Sequence, residues 1–181
     1  MIWNRIRYLL SPQADIYEKL YPVVRGIVAD IGFGTGFGTH LLSINAKEVC
    51  GYEVDERAIA FARRSFPIKN IRFEYGNIHK GIPDGPFNTI TMIDVIEHLK
   101  DPKRALQNVK SMMGPGAQFI LSTPNRLARY RKSEYHVREY APKELESLLG
   151  TAFVNVSLRD YKLEPLASQY ENPLLAVCRN D

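Results

Sequence analysis

Sulfur is scarce in this chain, with two cysteines and four methionines in 181 residues. Cys50 (EVCGY) and Cys178 (LAVCRN) both lie in apolar surroundings, where a buried free thiol is the usual outcome. They form neither a metal-ligand spacing nor a disulfide framework. Long hydrophobic runs are missing too: no apolar stretch reaches the roughly 20 residues that a membrane-spanning helix needs. The opening MIWNRIRYLL is too short, and too interrupted by Arg5 and Arg7, for a signal peptide. These absences point to a soluble, cytoplasmic protein. Internal repeats, low-complexity tracts and domain linkers are lacking as well, so residues 1–181 are expected to form a single domain. That length suffices to bury about 70% of the unfolded surface.

Neither sign of charge dominates, since 24 Lys and Arg against 20 Asp and Glu leave a net +4. The excess is uneven. Between Asn125 and Tyr140, Arg126, Arg129, Arg131, Lys132 and Arg138 face only Glu134 and Glu139, a net of +3. Such a stretch is read either as a solvated loop or as a contact for an anionic ligand.

What is present is an alternation of β-rich and helical segments. Strands are predicted at Gly26–Ile31, Glu48–Val54, Ile71–Tyr75, Phe87–Asp94 and Ala117–Ser122. Helices are predicted near residues 36–44, at Arg57–Ser65, from Pro102 to Met113 with Asp101 as cap, and at Pro142–Leu149. Phe153–Leu158 and Leu174–Cys178 read as two strands with no helix between them, suited to antiparallel pairing at one edge. The class is α/β, with a parallel sheet covered by helices on both faces.

One stretch stands apart. In VADIGFGTGFGTHLL, Val28–Leu42, glycines occupy positions 32, 34, 36 and 38. Inside a regular element each costs about 0.5–1 kcal/mol relative to alanine, which predicts a ligand pressed against bare backbone. The dinucleotide fingerprint fails in both registers, at Phe37 and at Thr39, and no Gly-Lys-Ser/Thr completes a P-loop. Acidic-x-Gly-x-Gly-x-Gly does fit, as Asp30-Ile-Gly32-Phe-Gly34-Thr-Gly36. Glu53 closes the next strand, where a carboxylate can accept both hydroxyls of a ribose.

In this combination the sequence resembles the class I S-adenosylmethionine-dependent methyltransferases, from about Val28 to Cys178. The first motif matches Asp30, Gly32, Gly34 and Gly36, and the second matches Glu53. The third appears as Gly76-Asn77-Ile78, with Asn77 in place of the usual aspartate that accepts from the adenine amino group. Asp94-Val-Ile-Glu97-His98-Leu-Lys-Asp101-Pro102 is similar to the segment after strand four in the ubiquinone-biosynthesis-type small-molecule methyltransferases. Met113-Gly114-Pro115-Gly116 and Ser122-Thr123-Pro124-Asn125 match their turns around strand five. The resemblance implies a doubly wound, mostly parallel seven-stranded sheet with an antiparallel last strand. It also implies S-adenosylmethionine as cofactor, held by Asp30, Gly32, Gly34, Gly36, Glu53, Val54, Asn77, Ile78 and Asp94, its methionine moiety crossing the backbone beside Asp30.

Methyl transfer from a sulfonium needs a nucleophile held in line, and positioning contributes up to about 7–11 kcal/mol. A base, worth roughly 10²- to 10⁴-fold, is needed only where the acceptor loses a proton. Asp94, Glu97, His98 and His136 are the candidates, and Asp94, His98 and His136 are assigned the catalytic roles. Asp94-x-x-Glu97-His98 with a distant histidine also resembles the Glu-x-x-Glu-His pattern of the ubiquinone O-methyltransferases. It resembles, too, that of the small-RNA 3′-terminal 2′-O-methyltransferases, where a divalent metal binds the acceptor hydroxyls. Here the first position is one methylene shorter, and no metal ligand is assigned. Asp94 is expected at the methionine end, Glu97 in solvent and His98 in local packing.

The acceptor is expected between an N-terminal covering segment (residues 1–25, with Trp3, Tyr8, Tyr17 and Tyr21) and the loop 125–140, which adds Tyr130, Tyr135 and Tyr140. The function read from the sequence is methyl transfer to a hydroxyl of a small or medium-sized acceptor, for which the basic loop suits an anion. Two alternatives stand beside it: an RNA 2′-O-methyltransferase using a divalent metal, and a non-catalytic S-adenosylmethionine-binding protein. The intact glycine and acidic positions argue against the second.

Overall fold

Val28 and Ala29 are both fully buried, on opposite faces of one strand. The computed structural model describes residues 12–130 and 133–179. In it, β1 (Ile27–Ile31) is covered on both sides, as the pleat of a parallel strand requires. Val28 meets Ile16, Tyr17 and Leu20 of α1 (Pro12–Leu20) and Leu42 of α2 (Phe37–Leu42). Ala29 belongs to the larger cluster, with α4 (Pro102–Met112) and α5 (Pro142–Leu149).

The remaining strands are β2 (Glu48–Glu53), β3 (Ile71–Tyr75), β4 (Phe87–Ile93), β5 (Met113–Thr123), β6 (Asn155–Arg159) and β7 (Leu174–Arg179). They form one seven-stranded sheet in the order β3-β2-β1-β4-β5-β7-β6. Only β7 runs against the others, paired antiparallel to both β5 and β6. The expected doubly wound sheet with an antiparallel last strand is therefore the observed fold. The order reverses between β1 and β4, the switch point where a crevice opens beyond the strand ends.

Local signals account for the helices. The Asp55 carboxylate accepts from the Arg57 N–H and starts α3 (Glu56–Ser65), whose Ile59 and Ala62 turn inward. Asp101 does the same for α4, with Pro102 in the first turn and Ala105, Leu106, Val109 and Met112 buried. Glu144 reaches back to the Ala141 N–H at 2.8 Å and fixes the start of α5.

Two boundaries differ from expectation. β5 begins at Met113 rather than Ala117, because Met113 already pairs with Phe87, ahead of a register shift and of the left-handed Gly116 (φ 65°). β4 stops at Ile93, because Asp94 takes a left-handed backbone conformation (φ 53°). Among the described residues no helix is long and apolar enough to cross a membrane.

Candidate functional site

The glycine turn leaves β1 at Ile31 and ends where α2 begins. The four glycines of the run, the last of them inside α2, serve different neighbours. At Gly36 (φ +84°) a Cβ would lie 2.8 Å from that of Ala62 and 3.0 Å from the Phe73 ring, so α3 sets that glycine. A Cβ at Gly32 would run into Val95, and one at Gly38 into the Tyr17 ring. Gly34 (φ +57°) alone faces open space. The expectation that a ligand cleared the whole run is thus corrected. The protein's own side chains occupy three positions, and one opens outward.

Asp30 departs from expectation as well. Its carboxylate is fully buried. It accepts hydrogen bonds from Tyr17 Oη (3.0 Å), Thr39 Oγ1 (2.7 Å) and Thr91 Oγ1 (2.8 Å). Burial raises its pKa more than these three donors lower it, and the Glu53 charge raises it further. Being two residues from Val28, it shares that strand face beneath α1. Asp30 braces the turn from behind and lines neither cavity described below.

Glu53 sits where the spacing placed it, at the tip of β2. One oxygen accepts from the N–H groups of Val54 (2.6 Å) and Asp55 (3.2 Å), the other from Gly34 (3.1 Å). A cavity of about 690 Å³ opens beside it, lined among others by Gly32, Val54, Asn77, Ile78, Asp94 and His98. Asn77 turns its Oδ1 to the His79 N–H at 3.0 Å, which uses one of the two lone pairs of that oxygen. A second cavity of about 240 Å³ lies under α1, between Gln13, Tyr17 and Phe37, and shares Gly32 with the first. The cleft therefore runs from Asn77, past Glu53 and the glycine turn, to the N-terminal helix.

At the end of β4, Asp94 is tied in three places. Its N–H donates to the Ser122 carbonyl at 3.1 Å, and its carboxylate accepts from Ser122 Oγ (2.6 Å) and Gln13 Nε2 (2.8 Å). A left-handed conformation at a non-glycine residue costs about 1–3 kcal/mol and is characteristic of functional positions.

Beyond it a short 3-10 helix (Ile96–His98) turns Glu97 inward, so Glu97 is completely buried rather than solvated. Thr123 Oγ1 donates to its Oε2 at 3.0 Å, while Oε1 has no hydrogen-bond partner among the described residues. Burial first, and the Asp94 charge second, push its pKa up to about 8. The Glu97 carbonyl accepts from the N–H groups of Val137 (2.9 Å) and Arg138 (3.1 Å), docking the loop onto the turn.

That docking brings His136 to His98. The rings are 5.1 Å apart at 75°. His98 Nδ1 lies 3.0 Å from the Tyr135 carbonyl, and His136 Nδ1 lies 2.9 Å from Glu139 Oε1. Each Nδ1 faces an acceptor and so carries the proton in the neutral ring, which leaves each Nε2 as a lone pair. One ligand atom from each of Glu97, His98 and His136 lies within 4.8 Å of the other two. An orphaned carboxylate oxygen and two imidazoles make a donor set suited to a divalent cation. The sequence assigned no metal ligand, and Asp94 stays outside this set.

The loop itself is more fixed than a solvated connection. Asn125 is buried, its amide donating to the carbonyls of Gln169 (2.8 Å) and Glu171 (2.7 Å). Arg126 pairs with Glu144 at 2.9 Å. Tyr140 is 2% exposed within the core, which removes it from the expected acceptor surface. Tyr135 is exposed, as are Arg129 and Arg138. Arg131, Lys132, Trp3 and Tyr8 lie outside the described residues.

The family described as a methyltransferase domain matches residues 5–154. The chain belongs to this family. The methyltransferase domain is 33% identical over 144 residues to a "Probable S-adenosylmethionine-dependent methyltransferase" of Mycolicibacterium smegmatis, covering 76% of the chain and 55% of that protein. It is 29% identical over 123 residues to a ubiquinone biosynthesis O-methyltransferase of Coxiella burnetii, covering 66% and 53%. The chain spans about half the length of the curated relatives it matches. Two solved structures share its fold. A complex of DhpI with SAH superposes with a TM-score of 0.75 at 22% identity, covering 97% of this chain and 87% of that one. An S-adenosylmethionine-dependent methyltransferase from Clostridium acetobutylicum gives 0.76 at 15% identity, covering 98% and 96%. With the acidic and glycine positions at the switch point, these relatives place the methyltransferase domain among the class I S-adenosylmethionine-dependent enzymes, with S-adenosylmethionine as cofactor.

Residues to which the sequence assigned no site role also shape the site. Gln13, Thr39, Thr91, Ser122, Thr123 and Glu139 each bond an acidic or imidazole group in it. Thr91 and Asp30 hold paired positions on neighbouring strands, a register that exists only once the sheet forms.

Proposed function

We propose that the domain transfers the S-adenosylmethionine methyl group to a hydroxyl oxygen of a small or medium-sized acceptor. The observation that carries this reading is the convergence of Glu97, His98 and His136 at the end of the cofactor cleft, where His98 lines the cavity. A hydroxyl is a poor nucleophile until it sheds its proton, and this cluster is built to take or polarise one. Glu53 would hold the ribose hydroxyls, Ile78 and Asn77 the adenine edge, and Gly34 the chain beside the sulfonium. The carbon–sulfur bond breaks as the carbon–oxygen bond forms. His136 Nε2, its ring held through Nδ1 by Glu139, accepts the hydroxyl proton.

The donor set also fits a divalent cation, which Glu97, His98 and His136 would hold. Such an ion would polarise the acceptor oxygen and stabilise it as alkoxide. Exposed Arg129 and Arg138 suit an anionic acceptor, and two free buried cysteines fit a cytoplasmic setting. An RNA acceptor has less support, because Arg126 of the basic loop is spent on Glu144.

A metabolite screen by mass spectrometry, run with and without magnesium or manganese, tests the proposal. A product heavier by one methyl group on oxygen is expected. Methylation confined to nitrogen, sulfur or carbon acceptors would overturn it.

A further inference from the structure

Glu139 belongs to no motif, yet its side chain is 7% exposed beside a histidine that is 12% exposed. The cleft does not need a carboxylate there for cofactor contact, since Glu139 lines neither cavity. It touches His136 Nδ1, at 2.9 Å and three residues away in the chain, and lies beside the Tyr130 hydroxyl. The Tyr135 carbonyl plays the same part for His98, at 3.0 Å. Both imidazoles are thus held through Nδ1, and a ring nitrogen of each lies within 4.8 Å of a Glu97 carboxylate oxygen.

We infer that Glu139 is a positioning residue for His136, fixing its Nδ1–H tautomer and aiming Nε2 at the Glu97–His98 cluster. The inference rests on the proposed role of that cluster. A carboxylate behind an imidazole does two things: it selects the tautomer by accepting the Nδ1 proton, and it raises the basicity of the opposite nitrogen. Both are useful to a ring that binds a cation or takes a proton. The acceptor function is enough to select the tautomer.

Two measurements separate this role from simple packing. The chain has four histidines, so long-range proton–nitrogen NMR can assign the tautomer of each ring. His136 is expected as the Nδ1–H form in the parent and in Glu139→Gln, whose amide oxygen accepts the same proton. In Glu139→Ala the ring is expected to revert to the Nε2–H form that free imidazole side chains favour in water. Calorimetry with cobalt(II) as probe, in the presence of S-adenosylhomocysteine, is expected to show a loss of about 10- to 100-fold in Glu139→Ala, with Glu139→Gln within a few fold of the parent. An unchanged His136 tautomer together with unchanged cobalt affinity in Glu139→Ala would overturn the inference. If the parent binds no cobalt at all, the cation reading of the cluster fails, and the tautomer measurement alone decides the role of Glu139.

Discussion

The Gly34 N–H donates to Glu53 Oε2 at 3.1 Å, so one carboxylate ties the tip of β2 to the turn leaving β1. In the proposed assignment, the groups that would hold the ribose and the methionine chain are thereby joined before any ligand arrives. Preorganisation of this kind lowers the ordering cost of binding.

Replacing Glu53 by alanine is expected to weaken S-adenosylhomocysteine binding by about 2–4 kcal/mol, the scale of two charge-assisted hydrogen bonds. Titration calorimetry measures it directly. Affinity unchanged in Glu53→Ala would show that the ribose is held elsewhere.

Gly34→Ala and Gly36→Ala should separate binding from folding. At Gly36 both the positive φ and the 2.8 Å approach to Ala62 oppose a Cβ. The expected loss is about 2–4 kcal/mol of stability, from strain plus overpacking. Gly34→Ala meets the same positive-φ strain, about 1–3 kcal/mol, but has open space, so it should lose less stability than Gly36→Ala while also losing cofactor affinity. Chemical denaturation and calorimetry on both variants give the comparison, and equal loss of stability in the two would contradict it.

Gln13 latches α1 to Asp94 over the smaller cavity. Gln13→Ala removes a hydrogen bond to a charged group, worth about 1.5–3 kcal/mol. Release of S-adenosylhomocysteine should speed up by roughly tenfold or more, as followed by stopped-flow fluorescence. An unaltered release rate would mean that α1 does not gate the cleft.

Asp30 predicts a pH dependence. Its folded pKa is raised, so between its ordinary value and the raised one the folded state holds a proton that the unfolded chain has lost. Its contribution to stability therefore falls as pH rises through that window. Asp30→Asn lacks this titration. Relative to the parent, the variant should gain in urea midpoint from about pH 4 towards neutrality. Parallel midpoints across that range would show that Asp30 is ionised throughout.

Much of this architecture was legible in the sequence, because its signals are local. Asp101-Pro102 starts a helix by its own chemistry, and Glu53 follows the glycine turn at a spacing set by one strand-helix-strand unit. Asp30 could have been placed correctly from its parity with Val28, which points it under α1 rather than into the cleft. The burial of Glu97 had no such local sign. It depends on a 3-10 turn and on Val137 and Arg138, some forty residues on, bonding to its carbonyl. The same long connection hides Tyr140, bridged to Asn125, from any inspection of loop composition. What joins distant segments through backbone atoms leaves no imprint on side-chain patterns.

The insertion of β7 between β5 and β6 bears on how the chain is made as well as on how it stands. Leu174–Arg179 is synthesised after β6, yet it supplies the partner on which β6 depends. A growing chain that has just completed β6 holds a strand with nowhere to pair, and β5 presents its hydrogen-bonding edge, including Phe119 and Leu121, to whatever else is near. Until β7 emerges the nascent protein is an open template of the kind that attracts other chains. Chains cut short before Leu174 should therefore aggregate rather than form a smaller working domain.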